Sequence, residues 1–189
     1  MMAISLGFPS VLATDHAGPH LILVGISGAG KTTVGQAVAE RLGRIFMDLD
    51  REIERREQAT VTELFAEKGE PYFRTKEREL TEELSKVGNM VLAPGGGWIT
   101  NTDVVALLRP PGRIIYLQVK PETAMARIGD ERATRPLLMR PDPLGELKRM
   151  LLQREPMFSS ADHVIDTERL QPQQVVEEVL KIAGAARRR

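Results

Sequence analysis

The chain has 189 residues, no cysteine, and 26 basic residues (Lys and Arg) against 26 acidic ones (Asp and Glu). This length favours one domain, and the absence of cysteine excludes disulfides, thiolate catalysis and zinc–thiolate sites. Zero net charge gives no indication of a large nucleic-acid-binding surface, and no stretch has the roughly 18 apolar residues of a membrane span. We therefore expect a cytoplasmic protein without nucleic-acid or membrane partners. The three histidines, His16, His20 and His163, are expected to be solvated or to cap helices.

Short apolar runs alternate with helical periodicities along the chain. In chain order, the predicted strands are 21–24, 44–50, 90–93, 113–117 and 163–166. Five predicted helices have both ends defined: 33–42, 51–58, 71–87, 103–108 and 172–183. Three more are predicted: one opened by a Thr60–Glu63 capping box and closed by Gly69, one that starts at Pro121, and one that ends near Glu155. Five strands separated by helices favour an α/β fold, with a parallel sheet flanked by helices.

The chain divides into one domain and two short ends. Residues 1–19 lack the basic start and long apolar core of a signal peptide, so we interpret them as a flexible leader. Residues 20–184 form the predicted domain, and 185–189 form a basic tail. Within the domain, residues of about 129–142 are polar, arginine-rich and interrupted by proline, which predicts a mobile lid.

The first predicted strand leads into a complete phosphate-binding loop (P-loop). Residues 25–32 have the sequence GISGAGKT, which matches G-x-x-x-x-G-K-[ST], and the preceding strand and following helix are the context that the motif requires. The glycines let backbone N–H groups converge on one point, where the helix adds the positive end of its dipole. The candidate phosphate-binding residues are Gly28, Ala29, Gly30, Lys31, Thr32 and Thr33, of which Lys31 suits the outer phosphates and Thr32 suits Mg²⁺.

Two carboxylates, Asp48 and Asp50, end the second predicted strand. Side chains alternate along a strand, so residues two apart face the same way. The carboxyl end of a parallel sheet is where α/β proteins bind ligands. One carboxylate could hold Mg²⁺, and the other could orient a hydroxyl group or accept its proton. A solvated strand end, or a helix N-cap at Asp50, is the alternative.

Two further segments suit a bound acceptor. Gly95, Gly96 and Gly97 follow the third predicted strand and leave backbone N–H groups accessible, although a tight turn alone would also favour glycine. Arg74 lies near the start of a predicted helix, where Glu77 at i+3 can hold its guanidinium. A fixed arginine suits a bidentate carboxylate contact, and a surface ion pair is the alternative.

Arginines in the second half of the chain are candidates for anion contact. Arg135 lies in the predicted lid, and loops that close over phosphates often carry a charge-stabilising arginine. Arg154 lies at the end of the next predicted helix. For Arg135 the alternative is a solvated charge. We interpret Arg132 and Arg140 as solvated charges. For Arg154 the alternative is a cation at a helix C-terminus.

Seven segments together resemble the shikimate kinase family. In the family's order they are GISGAGKTT, MDLD, YFR, PGGG, RPLL, REPMF and ADHVIDT, and the resemblance spans about residues 21–184. It implies the fold of the nucleoside-monophosphate-kinase group, with strand order 2-3-1-4-5, a substrate-binding helical region and a lid. It also implies ATP-dependent phosphorylation of the 3-hydroxyl of shikimate, with Mg²⁺ as cofactor and a monomeric protein.

The resemblance assigns roles residue by residue. Lys31 and Thr32 match the phosphate lysine and the Mg²⁺ hydroxyl, Asp48 matches a carboxylate of the Mg²⁺ shell, and Asp50 matches the residue that grips the substrate hydroxyls and acts as base. The remaining matches are Arg74 and Arg154 (clamp on the shikimate carboxylate), Gly95, Gly96 and Gly97 (substrate-side loop), Arg135 (lid), Arg127 and Arg169 (flanking the adenine), and Phe65 and Phe73 (near the substrate ring).

Two residues depart from the family pattern. Phe158 replaces a common tyrosine, which removes a hydroxyl, and Trp98 replaces a small residue, which we expect to reshape the substrate rim. A gluconate-type sugar-acid kinase, with the same P-loop and a carboxylate-bearing substrate, is the related alternative, although the RPLL and GGG segments favour shikimate. A non-catalytic ligand-sensing module is the second alternative; it predicts loss of Lys31, Thr32 or Asp50, and all three are present.

Overall fold

The structure, a computed structural model, describes residues 18–129 and 141–186. Within these residues the strands are β1 (Leu21–Val24), β2 (Phe46–Asp48), β3 (Val91–Ala93), β4 (Arg113–Gln118) and β5 (His163–Asp166). The helices are α1 (Lys31–Leu42), α2 (Leu49–Glu57), α3 (Val61–Glu67), α4 (Glu70–Leu84), α5 (Thr102–Leu108), α6 (Pro121–Ile128), α7 (Pro143–Phe158) and α8 (Pro172–Ala186). Three predicted segments lie wholly or partly outside the described residues: the leader at residues 1–17, most of the lid including Arg135, and the tail at residues 187–189. Helix α8 continues two residues into the predicted tail.

The strands form a parallel sheet in the order β2-β3-β1-β4-β5, which confirms the predicted topology. Leu21 of β1 lies opposite Val91 of β3 and Arg113 of β4. At the other end, Asp48 of β2 lies opposite Ala93 of β3. The carboxyl ends of β1, β2 and β3 therefore meet at one edge of the sheet, where the loops that leave them face one another.

The central strands are buried, which explains their continuous apolar sequences. Every side chain of β1 and β3 is buried, as expected for parallel strands covered on both faces. Helix α1 approaches the sheet closely at Gly35, where a Cβ atom would collide with the ring of Phe46. Helix α8 packs against α1. In the described parts of the chain, no helix combines the length and the apolar character that crossing a membrane requires.

Helices α2, α3 and α4 form a small region beside the sheet. The predicted capping box at the start of α3 is present: the Thr60 hydroxyl accepts the Glu63 N–H, and the Glu63 carboxylate accepts the Thr60 N–H. The Tyr72 hydroxyl of α4 donates to Glu57 of α2 at 2.6 Å. The capping box fixes the start of α3, and the Tyr72–Glu57 bond joins α4 to α2.

The boundary between β2 and α2 differs from the prediction. Strand β2 ends at Asp48 and α2 begins at Leu49, so the prediction that Asp50 ends a strand is wrong. The Asp48 carboxylate accepts the Arg51 N–H at 3.3 Å and caps the helix, while Leu49 is fully buried. Asp48 and Asp50 still line one cavity, but a strand-to-helix turn brings them together rather than strand alternation.

The end of α7 also differs from the prediction. The helix does not stop near Glu155 but continues through Pro156 to Phe158. Proline cannot donate a helical hydrogen bond, but Phe158 is fully buried and stacks on Tyr116, with ring centroids 4.9 Å apart and an interplanar angle of 12°. Gly69, expected to close α3, instead lies at the start of α4 with φ 81°.

Trp98 does not form part of the substrate rim, contrary to our expectation. Its side chain is fully buried in a 3-10 turn, and its Nε1–H donates to the Thr81 hydroxyl at 3.2 Å. That hydroxyl donates to the Glu77 carbonyl of α4 at 2.7 Å. Trp98 therefore supports α4 from the core and contributes to the cavity edge only through its neighbour Gly97.

His20 is buried rather than solvated, and it meets the other expectation, a helix cap, because it binds the carbonyl of Leu84, the last residue of α4. Its side chain lies just before β1 at 4% exposure, Nε2–H donates to the Leu84 carbonyl at 3.0 Å, and Nδ1 accepts the Met90 N–H at 3.3 Å. This pattern needs the neutral imidazole, because Nδ1 must keep a lone pair. Burial, helped by the nearby Arg44 guanidinium, lowers the pKa of His20 against the raising effect of the backbone hydrogen bonds.

We predict that His20 makes the fold less stable in mild acid. Because its folded-state pKa is below the ordinary value of 6.5, the unfolded chain binds the proton more readily, and the free energy of unfolding falls as the pH drops through 6.5. The His20→Gln variant should lose less stability than the wild type between pH 7.5 and 5.5. Chemical denaturation at both pH values measures this, and equal losses in the two proteins would contradict it.

Candidate active site

A cavity of about 570 Å³ lies at the carboxyl edge of the sheet. The P-loop, the turn from β2 to α2, the glycine loop after β3, and faces of α3, α4 and α7 surround it. Its lining includes these predicted site residues: Lys31, Thr32, Asp48, Asp50, Phe65, Phe73, Arg74, Gly95, Gly96, Gly97 and Arg154. Residues from six separate segments of the chain thus converge on one volume.

The P-loop wraps the amino end of α1. Gly28 has φ 81°, and a Cβ atom on it would collide with the Ala124 carbonyl of α6, so this position requires glycine. The Lys31 ammonium donates to the Gly25 and Ile26 carbonyls at 2.9 and 3.2 Å. The amine is therefore held over the loop, beside the start of α1, where a phosphate group would meet both its charge and the helix N-terminus.

Thr32 and Asp48 form a pair of oxygen ligands beside Lys31. The Thr32 hydroxyl donates to Asp48 Oδ2 at 2.9 Å. Across the described residues, no group of three or more His, Cys, Asp or Glu side chains could enclose a metal ion. One hydroxyl and one carboxylate instead fit Mg²⁺, which usually binds one or two protein oxygens together with substrate phosphates and water.

The Asp50 carboxylate lies in the first turn of α2, in the middle of the cavity wall. The residue is half-buried, but its Oδ1 atom is covered and has no hydrogen-bond partner within the described residues. Gly95 lies against it, since a Cβ there would come within 2.5 Å of Oδ1. Burial, followed by repulsion from Asp48 and Glu77, raises the pKa of Asp50 to about 7, although Lys31 and Arg74 oppose the rise.

Arg74 is held between two carboxylates of its own helix. Its Nη1 donates to Glu77 at 2.8 Å, while Nε and Nη2 both donate to Glu70 Oε1, at 3.1 and 2.7 Å. Glu77 is 2% exposed and Glu70 is 59% exposed. The exposed Glu70 therefore occupies the Nε–Nη2 face of the guanidinium, one of the two edges that can bind a carboxylate bidentately.

Arg154 reaches the same region from α7. Gly96 lies close to it, because a Cβ there would be 3.4 Å from Nη1. Burial, with repulsion from Arg74, lowers the pKa of Arg154. Over residues 18–129 and 141–186, no side chain makes a hydrogen bond or ion pair with this guanidinium. Two arginines close together, one of them unpaired in this range, form a site for an anion.

Apolar side chains form a further part of the cavity lining. Phe65 and Phe73 meet edge to face, with ring centroids 5.1 Å apart, and Val61 and Met150 also line the cavity. The Arg74 guanidinium carbon lies 5.6 Å from the centroid of the Phe73 ring. The site thus offers an apolar wall for a ring, with charged groups at its ends.

Comparison with known proteins agrees with this arrangement. The family model described as shikimate kinase matches residues 27–183. The shikimate kinase of Symbiobacterium thermophilum is 42% identical over 164 residues, which cover 86% of this chain and 94% of the relative. The chain belongs to the shikimate kinase family. This confirms the resemblance drawn from the sequence motifs, and with it the fold, the enzyme class and the reaction that the family name implies.

Solved structures of the family share the fold. The shikimate kinase from Acinetobacter baumannii in complex with shikimate superimposes with a TM-score of 0.84 at 36% identity, covering 90% of this chain and 95% of that chain. The enzyme from Bacteroides thetaiotaomicron gives a TM-score of 0.79 at 31% identity, covering 88% and 98%. The family fold therefore extends over almost the whole described chain.

Some predicted site residues lie outside the cavity. Arg127 of α6 donates to the Thr167 hydroxyl at 3.1 Å and to its carbonyl at 2.6 Å, and Arg169 is exposed just beyond β5. Helix α6, which carries Arg127, packs against the P-loop at Gly28. Gly28, Ala29, Gly30 and Thr33 belong to the P-loop and α1 without lining the cavity, and Arg135 is not among the described residues.

Sequence reasoning missed Glu70 as a site residue. It lies four positions before Arg74, a spacing at which two helical side chains meet, so the ion pair itself was foreseeable. That its carboxylate also lines the cavity depends on how α4 faces the sheet, and the local pattern does not contain that information. Glu54, Met150 and Gln153 also line the cavity and were missed, because their exposure to it depends on how α2 and α7 face the sheet.

We predict that Asp50→Asn stabilises the folded protein in alkaline conditions. Because the folded-state pKa of Asp50 is raised from 3.8 to about 7, the folded state binds the proton more tightly, and the free energy of unfolding falls as the pH rises through that window. Thermal unfolding in metal-free buffer should give a higher Tm for the variant at pH 8. The difference should shrink towards pH 4, and a lower Tm at pH 8 would contradict the prediction.

Proposed function

We propose that this protein transfers the γ-phosphoryl group of ATP to the 3-hydroxyl of shikimate, and that Asp50, Lys31, Arg74 and Arg154 are its central residues. The observation that supports this assignment is the position of Asp50. Its enclosed carboxylate has a phosphate-binding loop on one side and an arginine pair on the other. A proton acceptor placed between an anion site for phosphate and an anion site for carboxylate suits an acceptor acid whose hydroxyl is phosphorylated.

The phosphate side of the site binds ATP in this proposal. The P-loop amides and Lys31 neutralise the phosphates, and Lys31 exchanges its carbonyl partners for phosphate oxygens. Arg127 and Arg169 flank the adenine, and Arg135 adds a cation to the phosphoryl group when the lid closes. Mg²⁺ would be held by Thr32 and Asp48, and when bound it supplies charge neutralisation to the transferring group.

The acceptor side grips shikimate at its carboxylate. Arg74 and Arg154 form the clamp, while Phe65 and Phe73 cover the ring and the glycine loop lies along its edge. Binding at the carboxylate orients the ring so that one hydroxyl faces the γ-phosphate.

The chemical step then follows from this orientation. The oxygen of the 3-hydroxyl forms a bond to the γ-phosphorus, the bond from that phosphorus to the β–γ bridging oxygen breaks, and ADP leaves with the electron pair. Asp50 accepts the hydroxyl proton, and its raised pKa makes its carboxylate a stronger base than an exposed one. Lys31 balances the charge that develops on the phosphate oxygens.

Three properties of the whole protein complete the proposal. We infer a monomeric, cytoplasmic enzyme whose domain spans about residues 20–184, with a lid at about 129–142. The absence of cysteine fits a reducing compartment. The first described residues are tied to the domain, because the Pro19 carbonyl accepts from Arg44 and the Gly18 carbonyl accepts the Asn89 N–H.

An acceptor panel tests the reaction. Purified protein with ATP and Mg²⁺ should phosphorylate shikimate, and gluconate should be a much poorer acceptor because an open-chain acid does not match the apolar wall of Phe65 and Phe73. Release of ADP and phosphorus NMR of the product measure this. Preference for gluconate would favour the sugar-acid kinase, and shikimate binding without turnover would favour the ligand-sensing module.

We predict that Arg74→Lys weakens shikimate binding strongly. Lysine keeps the charge but cannot form two parallel hydrogen bonds with a carboxylate. A misplacement of the acceptor by about 1 Å is enough to lower turnover by about a hundredfold. The affinity for ATP should stay nearly unchanged, because Arg74 lies beside Gly97 and the carboxylates of its own helix. Separate calorimetric titrations of shikimate and ATP measure both effects, and loss of ATP affinity alone would contradict the clamp.

Glu70→Gln is the matched control for this variant. It removes a carboxylate from the Nε–Nη2 face of Arg74 but leaves the arginine in place. If the substrate carboxylate uses that face, Glu70 competes with it, and the Kd for shikimate should fall by a few-fold, as expected for one exposed ion pair. A higher Kd would show that Glu70 orients Arg74 for binding instead.

A further inference from the structure

We propose that Glu155 is a positioning residue for shikimate binding and that it acts through its neighbour Arg154. The proposal rests on the proposed role of Arg154 in gripping the substrate carboxylate. Glu155 does not line the cavity, and the reaction described above does not use it. Its contacts link the last turns of α7 to the centre of the sheet.

The Glu155 carboxylate bonds to two side chains of strand β4. Its Oε2 accepts the Tyr116 hydroxyl at 2.9 Å, and its Oε1 accepts the Gln118 amide at 3.2 Å. The Ser159 hydroxyl of the last turn also donates to Oε1, at 3.3 Å. Tyr116 is 1% exposed, so this end of the link is fixed in the core. A half-buried carboxylate with three donors is firmly located.

The link is needed because α7 contains Pro156. Proline has no N–H to donate to the carbonyl four residues earlier, so the turn that carries Arg154 lacks one helical hydrogen bond. Side-chain contacts support the helix on both sides of the proline. Glu155 bonds to Tyr116 before it, and Phe158 stacks on the Tyr116 ring after it. One tyrosine of β4 thus holds the segment from residue 155 to 158.

Arg154 depends on this support more than the other charged residues of the cavity. Successive side chains on a helix point about 100° apart, so a Glu155 that faces β4 sets the direction of Arg154 towards Gly96. Arg74 is fixed by Glu70 and Glu77, but in the described parts of the chain Arg154 has no ion-pair or hydrogen-bond partner. Its backbone must therefore set its position.

The same strand also connects to the phosphate side. Tyr116 pairs in register with Val24, the last residue of β1, which leads directly into the P-loop. Burial, and then the hydrogen bond to Glu155, raises the pKa of Tyr116, so the phenol stays a hydrogen-bond donor. Tyr116 and Glu155 thus link the strand beside the P-loop to the helix that carries Arg154.

A double-mutant cycle tests whether Glu155 acts through Arg154. Calorimetry would measure the Kd values for shikimate and for ATP in the wild type, Glu155→Ala, Arg154→Ala and the double variant. Glu155→Ala should raise the shikimate Kd roughly tenfold, within the range for residues of one network, with the ATP Kd unchanged. In the Arg154→Ala background the same change should have no further effect. A full effect in both backgrounds, or an equal loss of ATP affinity, would overturn the proposal.

Two conservative variants keep the test valid if Glu155→Ala does not fold. Glu155→Gln retains an acceptor for the Tyr116 hydroxyl and should bind shikimate nearly as well as the wild type. Tyr116→Phe retains the ring stack and removes only the donor, so it should raise the shikimate Kd in the same direction as Glu155→Ala. Wild-type shikimate affinity in Tyr116→Phe, or the full alanine-like loss in Glu155→Gln, would overturn the link.

Asp162→Asn controls for general loss of stability. Asp162 bonds to the same strand at its other end, accepting the Ile114 N–H at 2.8 Å and pairing with Arg109 at 2.7 Å. The variant should lower the Tm while leaving the shikimate Kd at the wild-type value. A matching rise in the shikimate Kd would show that any weakening of β4 suffices, and would overturn a specific role of Glu155. If Arg154→Ala alone left the shikimate Kd unchanged, the proposed clamp would fail instead.

Discussion

The enclosed carboxylate of Asp50 is the constraint around which the other charges of the cavity are arranged. Removing a carboxylate from water is unfavourable unless cations or hydrogen-bond donors compensate. Here Lys31 and Arg74 compensate in part, while Asp48 and Glu77 act against them, and the raised pKa of Asp50 reflects the balance. In the apo protein, this environment is unfavourable for the charged Asp50 carboxylate. It becomes useful when a phosphate and a hydroxyl group lie on either side of Asp50.

The two anion sites of the proposed reaction differ in how they are built. The phosphate side is mostly backbone, with a loop and a helix N-terminus that follow directly from glycine positions and strand geometry. The carboxylate side consists of long side chains from α4 and α7, which require support. Arg74 receives that support from carboxylates on its own helix, whereas Arg154 is supported indirectly, through the neighbouring residues of α7 that contact β4. The parallel sheet is common to both sides and keeps them at a fixed separation.

Sequence reasoning predicted the strand order, the P-loop, the capping box of α3 and the residues that converge on the cavity, because each depends on local pattern or on a family motif. It gave the wrong reason for the closeness of Asp48 and Asp50, because it placed the possible helix N-cap at Asp50, whereas the Asp48 carboxylate caps α2. It also misplaced Trp98 and the end of α7. Their positions depend on contacts with Thr81 and Tyr116, which lie 17 and 42 residues away along the chain, and no local pattern records such contacts.

The glycine loop after β3 has a consequence for inhibition. A Cβ atom at Gly95 would press on the Asp50 carboxylate, and one at Gly97 would collide with the guanidinium of Arg74. Any side chain at either position would displace a group that the proposed reaction uses. An inhibitor that forms its main hydrogen bonds with the backbone of this loop would therefore contact a surface where substitutions at Gly95 or Gly97 also disturb Asp50 or Arg74. Resistance would have to arise at the apolar wall or in the helices behind it.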